Sequence, residues 1–271
     1  MRRYGYLLRP KWLGLLFAVL IIVPAFFALS RWQLNRLDER RHYNDLLTSH
    51  SSAAPVPLDS LMTAGAATTS VTEDLRWRQV TVTGHYDSGH QRLVRKRPLD
   101  GADGFWVATP LLTSAGSTVI VNRGWIAVSG AATESPTVPL APPGEVTVIG
   151  RIQPSQLSEG AQPSDMPVGQ VSDLDVVVIG HELGPVYPGY LELISSTPAQ
   201  QTGLKLIPLP DLTDGPHLAY AIQWVLFAGV TVAGYVMLAR REREYETDLA
   251  AERAAKKALD KAATGGSTPN G

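Results

Sequence analysis

From Leu218 to Ala239 the chain carries no charged residue. As a helix rising ~1.5 Å per residue, that run is about 33 Å long, enough to cross a bilayer. A second apolar run, Trp12 to Leu29, reaches about 27 Å by the same arithmetic, just adequate for a span. A backbone in hydrocarbon must satisfy its own polar groups, so both runs are expected as helices. Arg2, Arg3, Arg9 and Lys11 precede the first run, and Ala28-Leu-Ser30 resembles a small-x-small cleavage site, so a signal peptide is the competing reading. Signal h-regions are shorter, ~7–15 residues. The chain also continues from Ser30 into Arg-Trp-Gln-Leu-Asn-Arg36 without a break, which favours a retained anchor.

Basic residues orient the spans. Arg240, Arg241 and Arg243 follow the second, with Arg253, Lys256 and Lys257 beyond, whereas Lys205 is the only basic residue between Thr197 and Pro216. The positive-inside rule places the C-terminus in the cytoplasm, and two spans then place the N-terminus there too. The expected organisation is a cytoplasmic tail at 1–11, a span at 12–30, an extracytoplasmic domain at 31–216, a second span at 217–239 and a charged tail at 240–271. The implied location is a membrane, with lipid around both spans. The tail begins as a charged helix and ends in Gly265-Gly-Ser-Thr-Pro-Asn-Gly271, expected to be disordered.

The chain has no cysteine. That excludes disulfides, thiol redox chemistry, thiolate copper relays and covalent haem attachment through Cys-x-x-Cys-His. The four methionines are scattered, so no Met-rich copper tract exists. A net charge of -1 offers no basic patch for nucleic acid.

Residues 31–50 read as a polar helix continuing outward, and 51–74, rich in Ser, Ala, Thr and Pro, as a loop or insertion. Alternating segments follow. They are 79–86, the basic 91–97, 104–112, 118–125 and 145–152, separated by turns such as Ser114-Ala-Gly-Ser117 and Ala141-Pro-Pro-Gly144. The pattern predicts an antiparallel β-rich domain, a sandwich or an open barrel, flanked by two transmembrane helices: an integral membrane α+β protein. Residues 153–172 read as a second polar loop, and 188–194 and 204–209 as late strands. The run 174–183 fits either a strand or a short helix. There is no internal repeat.

His217 stands at the mouth of the second span. With Tyr220 and Trp224 it falls at i, i+3 and i+7, one helix face. Neutral imidazole is a common axial ligand of haem iron, and ionisable residues at spans are costly and often functional. A histidine, a tyrosine and a tryptophan on one face can hold a flat, metal-bearing ring. Ala221, Ala228 and Thr231 continue that face with small groups that would let the ring approach. Interfacial anchoring explains the same histidine and aromatics without a ligand, and small residues also serve helix packing. Trp32, Gln33 and Arg36 sit just beyond the first span, again as anchors or as a docking collar. Asn122-Arg123-Gly124-Trp125 reads as the end of the most apolar strand, with Gly124 opening a turn and Trp125 capping the core. Arg123 could instead pair with a propionate or a partner carboxylate. The other histidines show no metal spacing, and there is no Gly-x-Ser-x-Gly, phosphate loop or His-Glu-x-x-His, so nothing points to catalysis.

Taken together, these segments resemble the Surfeit-locus (Shy-type) family of cytochrome c oxidase assembly factors. The matching elements are Trp32-Gln33-Leu34-x-Arg36, Arg78-Gln-Val80-x-Val82-x-Gly84, Gly104-x-x-Val107-x-Thr109-Pro110-Leu111, Val119-x-Val121-Asn122-Arg123-Gly124-Trp125, and His217-Leu-x-Tyr220-Ala221-x-Gln223-Trp224. The resemblance covers most of the chain apart from 51–74, 153–172 and the tail. It implies maturation of a haem–copper oxidase, with haem a bound transiently at His217 and Trp224 in support, and with the catalytic subunit and the haem a synthesis machinery as partners. Gly84 and Asn122–Trp125 would be a structural signature of the outer domain. No second histidine lies in the first span, so a second axial ligand would come from a partner or another copy. The alternative is a scaffold or accessory subunit that never touches cofactor.

Overall fold

The structure is a computed structural model that describes residues 5–65, 71–128, 135–156 and 166–264. Arg2 and Arg3, the middles of the two polar loops (66–70 and 157–165) and the glycine-rich end expected to be disordered lie outside the described residues. The chain forms two compact units, Met1–His42 with Thr213–Gly271, and Tyr43–Leu212.

The first unit is helical. Helix α1, Pro10–Ser52, opens on a proline, whose fixed φ suits a first helical position, and runs unbroken through Pro24. Its last turns belong to the second unit. Each end of the chain thus supplies one helix long and apolar enough to cross a membrane. The long C-terminal helix, His217–Thr264, continues far past its apolar run because Arg-Glu-Arg-Glu and Ala-Ala-Glu-Arg-Ala-Ala-Lys-Lys are strong helix formers. The two helices pack through small groups: Ala221 and Ala228 are buried, and Ser30 Oγ donates to the carbonyl of Ala221 at 3.0 Å.

The second unit is a mixed sheet of eight strands: β1 Val56–Pro57, β2 Gln79–Tyr86, β3 Arg92–Val94, β4 Gly104–Thr113, β5 Thr118–Ala127, β6 Glu145–Gln153, β7 Gln170–Val171 and β8 Val186–Thr197. Strand β2 pairs with β6 along most of its length and with β4 at its end, Gly84 opposite Thr113. The sheet therefore closes on itself as a five-stranded barrel in the circular order β2-β4-β5-β8-β6, where a sandwich or an open barrel was expected. It is not wholly antiparallel. Strands β5 and β8 run parallel, which the long connection between them permits, as do the short pairs β1–β2 and β3–β7.

Period-two alternation decides what each face carries. One set of side chains, including Val80, Leu111, Val121, Val148, Ile152 and Leu191, fills the barrel. The opposite faces of β4, β5 and β8 bury Ala108, Ile120 and Tyr190 against β3, β7 and helix α2, Val176–Gly180. The ambiguous run 174–183 is thus helical in its middle. Its β-branched valines favour a strand, but Asp175 caps the amides of Val177 and Val178 at 2.9 and 3.4 Å and starts a helix. Pro110 lies on β4 between the stretch that pairs with β3 and the stretch that pairs with β2, so its missing N–H breaks no bond to either neighbour.

Three expectations change. The region 51–74 is not merely a loop: it holds β1 and a 3-10 turn, Leu58–Ser60, and Leu58, Met62 and Val71 join the barrel core. Residues 204–209 form no strand. Lys205 alone makes a bridge, to Trp125, and Pro208 cannot donate to a ladder. Asn122–Trp125 does not end its strand, since β5 continues to Ala127.

Candidate functional site

His217 is the first residue of the C-terminal helix, which we label α3, and its imidazole reaches across to α1. Its Nδ1 lies 2.9 Å from Oε1 of Gln33. An amide oxygen only accepts, so this contact assigns the proton to Nδ1 and leaves the Nε2 lone pair free. The imidazole is half-buried. Nearby, Arg41 Nε donates to Asp214 at 3.0 Å, tying α1 to the segment that leads into α3.

Trp224, two turns deeper, stacks on Phe26 of α1, with ring centroids 5.6 Å apart and an interplanar angle of 26°, and meets Phe227 edge-on at 5.9 Å. Its buried indole N–H has no hydrogen-bond partner among the described residues. The α1-facing stripe of α3 is therefore His217, Ala221, Trp224 and Ala228, at i, i+4, i+7 and i+11. Tyr220 falls beside this stripe and is 45% exposed. The expected single face of His217, Tyr220 and Trp224 thus splits in two. Ala221 and Ala228 do not offer a bed for a flat ring, because their small size lets α1 approach and fill the space. The Tyr220 ring stays exposed, and Nε2 of His217 would stand 3.4 Å from a Cβ built on Gly215.

Beyond the first span, Trp32 is exposed and Arg36 places its guanidinium 5.9 Å from the Trp32 ring centre while pairing with Glu39 at 2.8 Å. Gln33 leaves this expected collar to hold His217. Trp32 and Arg36 stay at the surface.

The signature in the β unit is structural. A Cβ on Gly84 would stand 2.3 Å from the carbonyl oxygen of Leu112, so only glycine lets β2 swing from β6 to β4 and close the barrel. Gly124 holds φ +138 within β5, and a Cβ there would stand 2.5 Å from the carbonyl oxygen of Lys205. It opens room for the 204–206 segment, whose Lys205 exchanges backbone hydrogen bonds with Trp125 at 2.7 and 2.9 Å. Asn122 is buried, its Oδ1 accepting from the amide of Gly124 at 3.2 Å. Trp125 donates its indole N–H to the carbonyl of Arg97 and lies under Lys205 Nζ, 5.3 Å from the ring centre.

Arg123 is 0% exposed. It donates to the carbonyls of Pro139 and Leu140 at 3.1 and 3.0 Å and to Gln91 Oε1 at 3.3 Å, with its guanidinium 5.7 Å from the Tyr86 ring centre. Enclosed in this way it meets neither a propionate nor a partner carboxylate. Burial works against its charge and pushes the Tyr86 phenol up to about 12.

A polar cluster on the outer faces of β6 and β8 escaped the sequence reading. Arg151 and Glu192, both buried and paired in register, approach to 3.3 Å, with Gln153 Nε2 3.4 Å from the same carboxylate. Arg151 also donates to the carbonyl of Ile207 at 2.7 Å. Burial, only partly offset by Arg151, raises Glu192 to about 7. Beside it the Tyr190 phenol is driven above its usual range, chiefly by burial and then by Glu192. Tyr190 tilts against Trp106, which carries Arg97 4.5 Å from its ring centre. The signal lay in the alternation: Arg151 and Gln153 flank Ile152, as Tyr190 and Glu192 flank Leu191.

Comparison with known proteins follows the same elements. A family model described as the SURF1 family matches residues 20–229, from within α1 to within α3. An uncharacterized SURF1-like protein of Mycobacterium tuberculosis is 32% identical over 253 residues, covering 90% of this chain and 91% of that protein. The cytochrome oxidase assembly protein SHY1 of Saccharomyces cerevisiae is 31% identical over 124 residues, 45% of this chain and 30% of the yeast protein. Surfeit locus protein 1 of Takifugu rubripes is 29% identical over 124 residues, 40% of this chain and 49% of that protein. With the whole barrel and part of each apolar helix inside the matched span, this chain belongs to the SURF1 family.

Proposed function

We propose that this protein is a membrane-bound assembly factor for a haem–copper cytochrome oxidase, not itself an enzyme, and that it holds haem a transiently through His217. The oxidase role rests on family membership and on the likeness to a yeast protein named for cytochrome oxidase assembly. The haem reading rests on one contact, His217 Nδ1 to Gln33 Oε1 at 2.9 Å. Gln33 orients the ring and keeps the proton on Nδ1, which leaves the electron pair for axial ligation on Nε2. Haem a, when bound, supplies the iron that accepts this pair. The exposed Tyr220 ring would flank the macrocycle, and Trp224, held by Phe26, would brace the helix behind His217. In this reading both termini are cytoplasmic, the β unit is outside a bacterial plasma membrane, and the oxidase catalytic subunit with the haem a synthesis machinery are the partners. A second axial ligand would come from a partner or a second copy.

The test is an optical and pyridine-hemochrome spectrum of protein purified from cells that make haem a, beside His217→Ala. Haem a in the first and not in the second supports the carrier. Equal occupancy in both removes His217 from the site.

One observation favours a second reading. The small residues that would have received a ring are consumed in packing α3 against α1, which suits a scaffold that stabilises oxidase subunits without touching cofactor. Oxidase subunits that copurify in fixed proportion with no haem signal would select it.

A further inference from the structure

The α1–α3 pair carries a second feature at its other end, about 36 Å along α3 from His217 at ~1.5 Å per residue. There a cavity of about 510 Å³ opens between the helices. Leu15 and Leu238 line the side toward the apolar runs, and Lys11, Arg241 and Glu242 line the other, with Trp12 between them.

Trp12 is the informative residue. It is 5% exposed, and among the described residues its indole N–H makes no hydrogen bond of ordinary geometry. It lies close enough to Glu242 to help hold that carboxylate's pKa down, after the larger effect of Lys11. Tyr6 and Tyr235 clamp the ring edge-on at 5.8 and 6.0 Å, so it cannot turn away to find a partner. A buried donor without an acceptor is costly and calls for one.

The charges around it do not balance. Glu242 is taken by Lys11 at 2.8 Å and lies 3.8 Å from Arg9, and Arg9 pairs with Glu246 at 2.7 Å. Arg241 has no ion pair or hydrogen bond among the described residues. Three cations, Arg9, Lys11 and Arg241, face two carboxylates, and the excess is a single positive charge. A donor without a well-placed acceptor, one uncompensated cation, aromatic walls and an apolar floor at the end of two spans together match a phosphodiester that carries acyl chains.

We propose that this cavity binds the headgroup of an anionic phospholipid, with Arg241 and Lys11 on the phosphate, the Trp12 N–H donating to it, and the chains running down past Leu15 and Leu238.

The experiment is native mass spectrometry of the full chain, released from micelles that hold phosphatidylglycerol and phosphatidylcholine in equal amounts. Wild type is expected to retain one phosphatidylglycerol under conditions that strip phosphatidylcholine. Lys11→Gln and Arg241→Gln should each weaken retention roughly five-fold, the factor that about 1 kcal/mol per cation represents. Trp12→Phe keeps the ring, removes the donor and should also weaken it, which guards against a charge variant that fails to fold. Arg243→Gln, a change outside the cavity, should not. Equal retention of both lipids, or an equal loss on Arg243→Gln, would overturn the site. Displacement of the lipid by millimolar inorganic phosphate would make it a free-phosphate site instead.

Discussion

Gln33 and His217 stand 184 positions apart and yet define one imidazole proton. Gln33→Leu keeps the bulk and removes the acceptor, and residues that orient a ligand in this way typically contribute 10–100-fold to affinity. Haem occupancy in Gln33→Leu should fall by about that factor, with Gln33→Glu, which still accepts, close to wild type. A haem titration of the three proteins checks the order. At Glu192 the expected effect is on stability. The folded chain holds this carboxyl proton up to about 7, whereas an unfolded glutamate releases it near ~4.3. Across that window the folded state binds more protons, so stability falls as pH rises, and it is level outside it. Denaturation of the solubilised protein followed by tryptophan fluorescence should show this slope, and Glu192→Gln should flatten it. His217 was legible in the sequence because it interrupts the approach to an uncharged span. Gln33 was visible only as part of an interfacial collar, because nothing local reveals which residue of α1 lies opposite α3.

Strands declare themselves by period two, and β2, β4, β5 and β6 stand close to where alternation places them. Where alternation left an element open or misplaced it, a single interaction decided the outcome. The Asp175 cap turns a valine run into α2, and the Gly124 opening draws the 204–206 segment onto β5 as one bridge instead of a strand. Gly84 is the matching case for barrel closure. Gly84→Ala pushes a methyl into the Leu112 carbonyl, a backbone atom with little freedom to move, and should cost about 1–3 kcal/mol, the usual range for overpacking. A lowered denaturation midpoint with an unchanged slope is the expected result. In the helical unit, Ala228→Leu should separate α3 from α1. If the Trp224–Phe26 stack depends on that approach, Trp224 becomes more open to an aqueous quencher.

At the scale of the whole molecule, one apolar helix precedes the barrel along the chain and another follows it, and the absence of native cysteine makes the orientation directly measurable. In intact cells a membrane-impermeant maleimide should label Glu145→Cys in the β unit, and label Asp248→Cys in α3 only after the membrane is opened. Labelling of both, or the reverse order, would overturn the positive-inside assignment. Sequence by itself determined the two spans, the β-rich middle, the exclusion of thiol chemistry and the family signature, because these depend on composition, run length and alternation, which are local. Tertiary structure decided the rest. It closed the sheet through Gly84, enclosed Arg123, buried the Arg151–Glu192 pair, left Tyr220 exposed beside the α1-facing stripe and set Gln33 against His217. Each of these depends on which distant backbone comes within a few ångströms, and close packing, not local propensity, makes that choice.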